Sequence, residues 1–428
     1  MPPHPLRLAV YGHLNKDAGS GSSSHYLLVE QLLRLGHFVD LYAIAGFVTP
    51  QDLVRFPNLR YHPVALPLAD SVFRLCRGLL PRRVAPLPLF LLNQERVRHY
   101  YRALTRVLRR RHQERPYDAL VVLDLFYNPF PRLPGLPSVI WMQGAHQAEA
   151  DAIRKQKRTI VRLCGHAYYW AIMAYYRWKV GLAKDHVRRK NYDHVITSSQ
   201  WNAEVFERIG IPPGRLTVIP FMLDLERFHP PASWEGRGRR VVFMHLGRVV
   251  PRKRVDLLLE AFSRLRAEDP DVSLLVIGQF AYAHGYRRLL GLDRIPPGVE
   301  YRPGVPRAEV PELFRSVDVL VQASENEHFG FSVMEALGSG VPVIAGPTNG
   351  TAEYAPPEFL FEEHTPEAML AAMRRCAAAV RTDRAAVARQ ARNAAETAFD
   401  VADVTARFLA VVRQAVGARR PHAEPVRV

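Results

Sequence analysis

One pattern runs along most of the chain: a short apolar run, a longer amphipathic stretch, then another apolar run. Repeated β-α units of this kind feed a parallel sheet covered by helices. In the first half, segments 6–11, 38–43, 119–123, 138–141 and 194–197 read as strands, and 25–35 reads as the first helix, stopped by Gly36. In the second half, 241–246, 273–277, 317–322 and 341–345 read as strands, with helices at 255–267, 308–315, 333–338 and 366–380. The chain has 428 residues, more than one ordinary core accommodates, so two α/β domains are expected. Pro, Gly and charged residues concentrate in 212–220, 224–231 and 236–240, which reads as a linker. The boundary is therefore expected near residue 222, giving units 1–222 and 223–396. A final segment, 397–428, holds a helix at 401–416 and a polar tail from Gly417 expected to be disordered.

Lys and Arg total 58 against 41 Asp and Glu, a formal charge of +17, which favours anionic partners without choosing among nucleotides, phospholipid and nucleic acid. The three cysteines, Cys76, Cys164 and Cys376, are far apart and have no metal-ligand spacing. Neither a disulfide framework nor a zinc site is supported, and a reducing cytoplasm fits best. The start, MPPHPLRLAVYG, has no apolar stretch of signal-peptide length. In the tyrosine-rich middle, 163–176 lacks Lys, Arg, Asp and Glu but falls short of the ~20 apolar residues that span a bilayer.

The densest chemistry lies at 327–335, Glu-His-Phe-Gly-Phe-Ser-Val-Met-Glu. Its spacing allows a loop carboxylate, Glu327, and a helix carboxylate, Glu335, to face one cleft. The Phe329-Gly330-Phe331 turn can present backbone N–H groups at a helix N-terminus, where the dipole favours phosphate. Two hydroxyl acceptors beside an anion site point to a sugar nucleotide. Alone, the two glutamates would read as solvated residues near a helix start. A second cluster follows the strand 241–246: Gly247-Arg248-Val249-Val250-Pro251-Arg252-Lys253. Arg248 and Lys253 at a strand's carboxyl end could stabilise a departing diphosphate, each such contact being worth about 3 kcal/mol in the transition state. An ordinary basic turn is the alternative. Arg252 and Arg254 are expected to be solvated neighbours.

The stretch 324–345, SENEHFGFSVMEALGSGVPVIA, resembles the signature of retaining glycosyltransferases of family 4, as does GRVVPRKRVDLLLEAF from Gly247. The resemblance implies a GT-B fold, two Rossmann-like domains facing a cleft, with the acceptor on the first and a nucleoside-diphosphate sugar on the second. By the same resemblance Arg248 and Lys253 bind the diphosphate and Glu335 the ribose hydroxyls. Glu327 would contact the transferred sugar, Phe329, Gly330 and Phe331 would offer N–H groups to that sugar and the distal phosphate, and Val305 would meet the base through its main chain. His328 replaces the glycine commonest in the family and matches a variant found in some mannosyltransferase branches. Segment 346–353 resembles the turn closing this side of the site. The Gly/Ser-rich loop 12–24 includes Gly19 and Gly21 where the family uses a glycine pair beside a phosphate; a plain turn explains it equally. His146 is the nearest match to the family's functional histidine, the alternative being that it caps the following helix.

The resemblance further implies transfer from a UDP- or GDP-linked sugar to a glycan, lipid-linked or cell-surface polysaccharide, acceptor. No carboxylate pair suits a divalent metal, so metal independence and no cofactor are expected. Segments 71–83 and 154–191 interleave apolar or aromatic residues with Arg and Lys. Such faces can rest on anionic lipid, placing the enzyme in the cytoplasm or peripherally on the inner membrane face; for the second, internal packing is the other reading. A sugar-nucleotide epimerase, a phosphorylase and a silent sugar-nucleotide-binding subunit are the rivals on this architecture. Scattered basic residues without a recognisable module argue against nucleic acid.

Overall fold

The computed structural model describes residues 4–19, 21–44, 51–79, 86–123, 133–234, 236–280, 285–292 and 294–418. Ser20, Leu80, Arg82, Arg83 and the tail beyond 418 lie outside the described residues. Seven strands form the first sheet: β1 (Arg7–Gly12), β2 (Phe38–Ile44), β3 (Leu59–Val64), β4 (Ala119–Leu123), β5 (Ser138–Met142), β6 (His194–Thr197) and β7 (Leu216–Val218). Five form the second: β8 (Val241–Leu246), β9 (Val272–Ile277), β10 (Val299–Arg302), β11 (Val319–Gln322) and β12 (Val343–Ala345). Their orders are β3-β2-β1-β4-β5-β6-β7 and β10-β9-β8-β11-β12, and every recorded pairing is parallel.

Thirteen helices occur among the described residues. The first half carries α1 (Gly21–Arg34), α2 (Gln51–Val54), α3 (Pro67–Leu79), α4 (Pro86–Glu114), α5 (His146–Lys155), α6 (Lys157–Arg188) and α7 (Gln200–Arg208). The second carries α8 (Val255–Glu268), α9 (Tyr286–Leu289), α10 (Val310–Ser316), α11 (Phe331–Gly338) and α12 (Pro366–Phe399), with α13 (Val401–Gly417) ending the described chain. Central strands such as β4, β5 and β9 are buried along their whole length, as a sheet covered on both faces requires. β3, β7 and β10 end their sheets and are only partly buried. These three strands were not expected, and β7 lies inside the segment read as linker. An edge strand tolerates Pro63 and the polar residues of Val299–Arg302, which dilutes its apolar signal.

The helix expected at 366–380 continues to Phe399. Asp383 departs from helical geometry (φ −153°, ψ 88°), and its carboxylate accepts the Ala386 N–H at 2.8 Å, restarting the helix as an N-cap would. Asp400 then caps α13 through the Asp403 N–H. α13 returns to the first half and packs against α1, β4 and β5. Its Phe408 stacks on Trp141 of β5 at 5.6 Å, and Trp141 stacks on Phe221 at the same distance. Phe221 in turn meets Phe329 and Phe331 of the second half, so one apolar cluster joins the two sheets.

Strand order reverses between β1 and β4 in one sheet and between β8 and β11 in the other. Ligands of open parallel sheets bind outside the strand carboxyl ends at such reversals. The loops after β1, β8 and β11 carry Gly19, Arg248 with Lys253, and Glu327. Phe408 is fully buried at the seam, so Phe408→Ala should cost about 3–5 kcal/mol. A lowered urea midpoint with reduced coupling between the halves is the expected result.

Candidate functional site

The β8 loop is shaped by backbone pairing that outlasts the strands. Gly247 N–H donates to Ile277 O and Val249 N–H to Gln279 O, both near 3 Å. Gly278 has φ +158°, and a methyl group there would overlap the Gly247 carbonyl, so the two loops touch because residue 278 lacks a Cβ. A single 3₁₀ turn, Pro251–Lys253, then swings Lys253 inward. Arg254 closes the turn in the left-handed region at φ 49° and starts α8.

From β11 the chain enters the loop carrying Glu327. Glu327 N–H donates to Thr348 O and Glu327 O accepts the Gly350 N–H, both at 2.9 Å, which clamps the residue against segment 346–353. Its carboxylate accepts from Lys253 Nζ at 2.6 Å and from an Arg252 guanidinium nitrogen at 2.8 Å. Burial would raise its pKa, but the two cations beside it overcome that and hold it at about 2. Burial lowers the Lys253 pKa, with Glu327 opposing. Arg252 and Arg254 are therefore not solvated bystanders: Arg252 shares Glu327, and Arg254 pairs with Glu325 at 2.6 Å. A buried carboxylate needs such partners, and adjacent cations of the loop are within reach.

These groups line one cleft of about 600 Å³ between the halves. Arg248, Lys253, Glu327, Val305, Phe329, Gly330, Phe331 and Glu335 lie on its second-half wall, while Gly19 and Gln143 face them from the first half. Gly21 is not in this lining; it opens α1 near His25 and Phe221. The Gly330 N–H, expected to face a ligand, instead donates to the Thr351 hydroxyl. Phe331 and Ser332 head α11, where first-turn N–H groups have no intrahelical acceptor. Sequence reading missed Arg307, whose guanidinium pairs with the buried Glu335 carboxylate. Burial raises the Glu335 pKa, and Arg307 opposes that rise. Arg307 follows directly on Gly304-Val305-Pro306, so its place in the sequence was the available signal.

His328 turns out of the cleft lining and into the first half. Its Nδ1–H donates to Asn202 Oδ1 at 3.3 Å, and its carbonyl accepts from Asn202 Nδ2 at 2.6 Å. Gly144 makes the room, because a methyl group there would overlap the His328 ring. Burial is the main cause of a His328 pKa of about 4. Around this contact Gln143 Nε2 donates to Phe329 O, Tyr354 OH to Ser198 O, and Gln200 N–H to Glu353. His146 is the first residue of α5 and does not cap it. Its ring bonds to Glu149 at 2.6 Å and lies 3.4 Å from Lys179 Nζ, with burial lowering its pKa. It is absent from the cleft lining, although Glu149 borders a neighbouring cavity that shares Arg248 and Arg252 with the cleft.

Cations at one strand end, a carboxylate acceptor at each side and a helix start together suit an anionic, hydroxyl-rich ligand. Among the described residues no cluster of three or more His, Cys, Asp or Glu could hold a metal ion. The architecture is that of the GT-B glycosyltransferases: the chain aligns over 96% of its length with all of a sucrose-phosphate synthase from Thermosynechococcus elongatus (TM-score 0.66, 17% identity). It aligns over 95% with 99% of WaaG, a glycosyltransferase involved in lipopolysaccharide biosynthesis (TM-score 0.60, 17% identity). Residues 231–394, in the second half, match the family of glycosyl transferases group 1. Among named relatives, 46% of the chain is 27% identical to 54% of a GDP-mannose-dependent alpha-(1-6)-phosphatidylinositol monomannoside mannosyltransferase from Mycolicibacterium smegmatis. Another 32% identity covers 34% of the chain and 36% of a D-inositol 3-phosphate glycosyltransferase from Geodermatophilus obscurus. The chain thus spans about half or less of the length of these relatives.

Two outcomes test this geometry. Gly144→Ala should push His328 out at a cost of about 1–3 kcal/mol. Gly144→Ala with His328→Gly should recover the loss, read from melting and small-angle scattering. Because His328 is held neutral to about pH 4, the unfolded chain binds the extra proton between pH 4 and its ordinary pKa of about 6.5, and stability falls as pH drops through that window. His328→Gln should remove up to about 3 kcal/mol of that pH dependence, measured as Tm against pH.

Proposed function

We propose that the protein is a retaining glycosyltransferase of the family 4 type that moves a hexose from a nucleoside-diphosphate sugar to a glycan acceptor. The observation carrying this reading is the convergence of Arg248, Lys253, Glu327 and Glu335 on one cleft at the strand-order reversal of the second sheet. The diphosphate lies against Arg248 and Lys253, with the N–H groups of Phe331 and Ser332 at the α11 start. Ribose hydroxyls bond to Glu335 once Arg307 shifts to share it, and the base lies against the Val305 backbone. Glu327, ionised well below neutral pH, accepts a hydroxyl of the transferred sugar.

The glycosidic C–O bond to the diphosphate breaks as an acceptor hydroxyl attacks from the same face. A diphosphate oxygen takes the acceptor proton, and Arg248 and Lys253 stabilise the charge that remains. Closure across the His328 contact excludes water and limits donor hydrolysis. No resident metal or cofactor is invoked, since the side chains supply the countercharge. His146, the sequence candidate for the acceptor side, lies outside the cleft and acts by orienting Glu149 at the neighbouring cavity.

UDP- and GDP-sugars are the donors to test, the latter supported by the mannosyltransferase relative named for GDP-mannose. That relative's name also supports a lipid-linked acceptor. No helix among the described residues is long and apolar enough to cross a membrane. α3, however, exposes Leu68, Val72 and Leu75 at helical spacing, which supports contact with a lipid surface.

Calorimetry with UDP-, GDP-, ADP- and TDP-sugars should find selective binding of one donor that EDTA does not alter; no binding across the panel would overturn the reading. Lys253→Ala and Glu327→Ala should each lower kcat by about 10²–10³-fold. Wild-type rates in both would dismiss the assigned site. Flotation with anionic liposomes at low salt should recover the protein, and failure would remove the membrane part.

A further inference from the structure

Beside the cleft lies a second, partly open cavity of about 70 Å³ that the transfer chemistry does not use. One face of α5 supplies Ala152 and Ile153. α6 supplies Ile160, Leu163 and Cys164 before its break and Tyr168, Ile172 and Tyr176 after it, each set at the three- and four-residue steps that align side chains on a helix. The third wall is the β8 loop of the second half. α6 can turn this face inward from its first turns because it breaks at Gly165, whose φ of 85° lies in the left-handed region. Leu163 and Cys164 then pack against the second-half core.

One end of this apolar cavity is polar. Arg248 and Arg252 line both it and the cleft, so the two spaces share a wall at the place where the donor's diphosphate is assigned. Glu149 lies at the same cavity, its carboxylate oriented by His146; burial opposes its ionisation, and the His146 bond together with nearby cations holds its pKa at about 2. A ligand spanning both spaces would have its hydroxyls among fixed charges and its hydrocarbon among Ile153, Ile160 and Ile172. A free sugar would leave the apolar walls unfilled, and a pure hydrocarbon would leave the charged end facing it.

We propose that this cavity holds the first carbons of an alkyl chain on the acceptor's aglycone, making the acceptor a lipid-linked glycoside whose sugar end projects into the cleft. The inference rests on the glycosyltransferase reading. The small volume accommodates the root of the chain, and the remainder leaves through the cavity's open side.

Calorimetry on the full chain with methyl, propyl, butyl and octyl α-mannosides and α-glucosides tests it, the donor panel being titrated in parallel. Affinity should rise about fourfold per methylene over the first few carbons and then level off. In Ile172→Trp that rise should vanish, so that octyl and methyl glycosides bind alike; Ile160→Phe is the second variant should the first misfold. Affinity independent of chain length in the wild type, or an unchanged series in both folded variants, overturns the proposal. So does an absence of binding by every glycoside. Donor binding without chain-length dependence would sink only this cavity's role, whereas absent donor binding would sink the glycosyltransferase reading itself.

Discussion

The buried Glu327 carboxylate, held between Lys253 and Arg252, is the interaction on which the site depends. Removing a carboxylate from water costs several kcal/mol unless cations and hydrogen bonds surround it. Here the cations come from the loop after β8 and the anion from the loop after β11, two neighbouring strands at the sheet's reversal. Pairing them fixes both loops at once. Arg254 with Glu325 repeats the connection one layer out. The cleft is therefore preorganised by the same charges that a ligand would meet.

Preorganisation extends across the two halves. His328, next to Glu327, reaches the pocket that Gly144 leaves open, and Asn202 bonds both its ring and its carbonyl. The apolar seam through Trp141, Phe221, Phe329 and Phe408 supplies non-directional attachment, while the polar contacts around His328 set the relative orientation. The residue next to Glu327 thus also ties the second half to the first.

Much of the fold was legible because central parallel strands are buried on both faces and read as uninterrupted apolar runs. β3, β7 and β10 were not, since a strand at the sheet's end has a wetter environment and mixed composition. The extension of α12 past Asp383 was hidden for a different reason: its buried residues there are mainly alanines, which carry little apolar signal. Arg248, Lys253, Glu327 and Glu335 were legible as candidates because their spacing is local. Arg307 and the true partners of Arg252 and Arg254 were not, because each meets a residue far away in the chain.

The sequence alone determined the α/β class and marked a two-unit organisation and candidate segments for the site, since periodicity and local spacing are properties of neighbouring residues. Tertiary structure decided which charges neutralise which, that Gly330 donates to Thr351 and not toward the cleft, that His328 leaves the site for Gly144 and Asn202, and that α5 and α6 enclose an apolar cavity beside it. Those outcomes depend on burial and on approach between segments far apart in the chain, as where Gly144 makes room for His328. Desolvation makes each such pairing compulsory only once folding has brought the partners together.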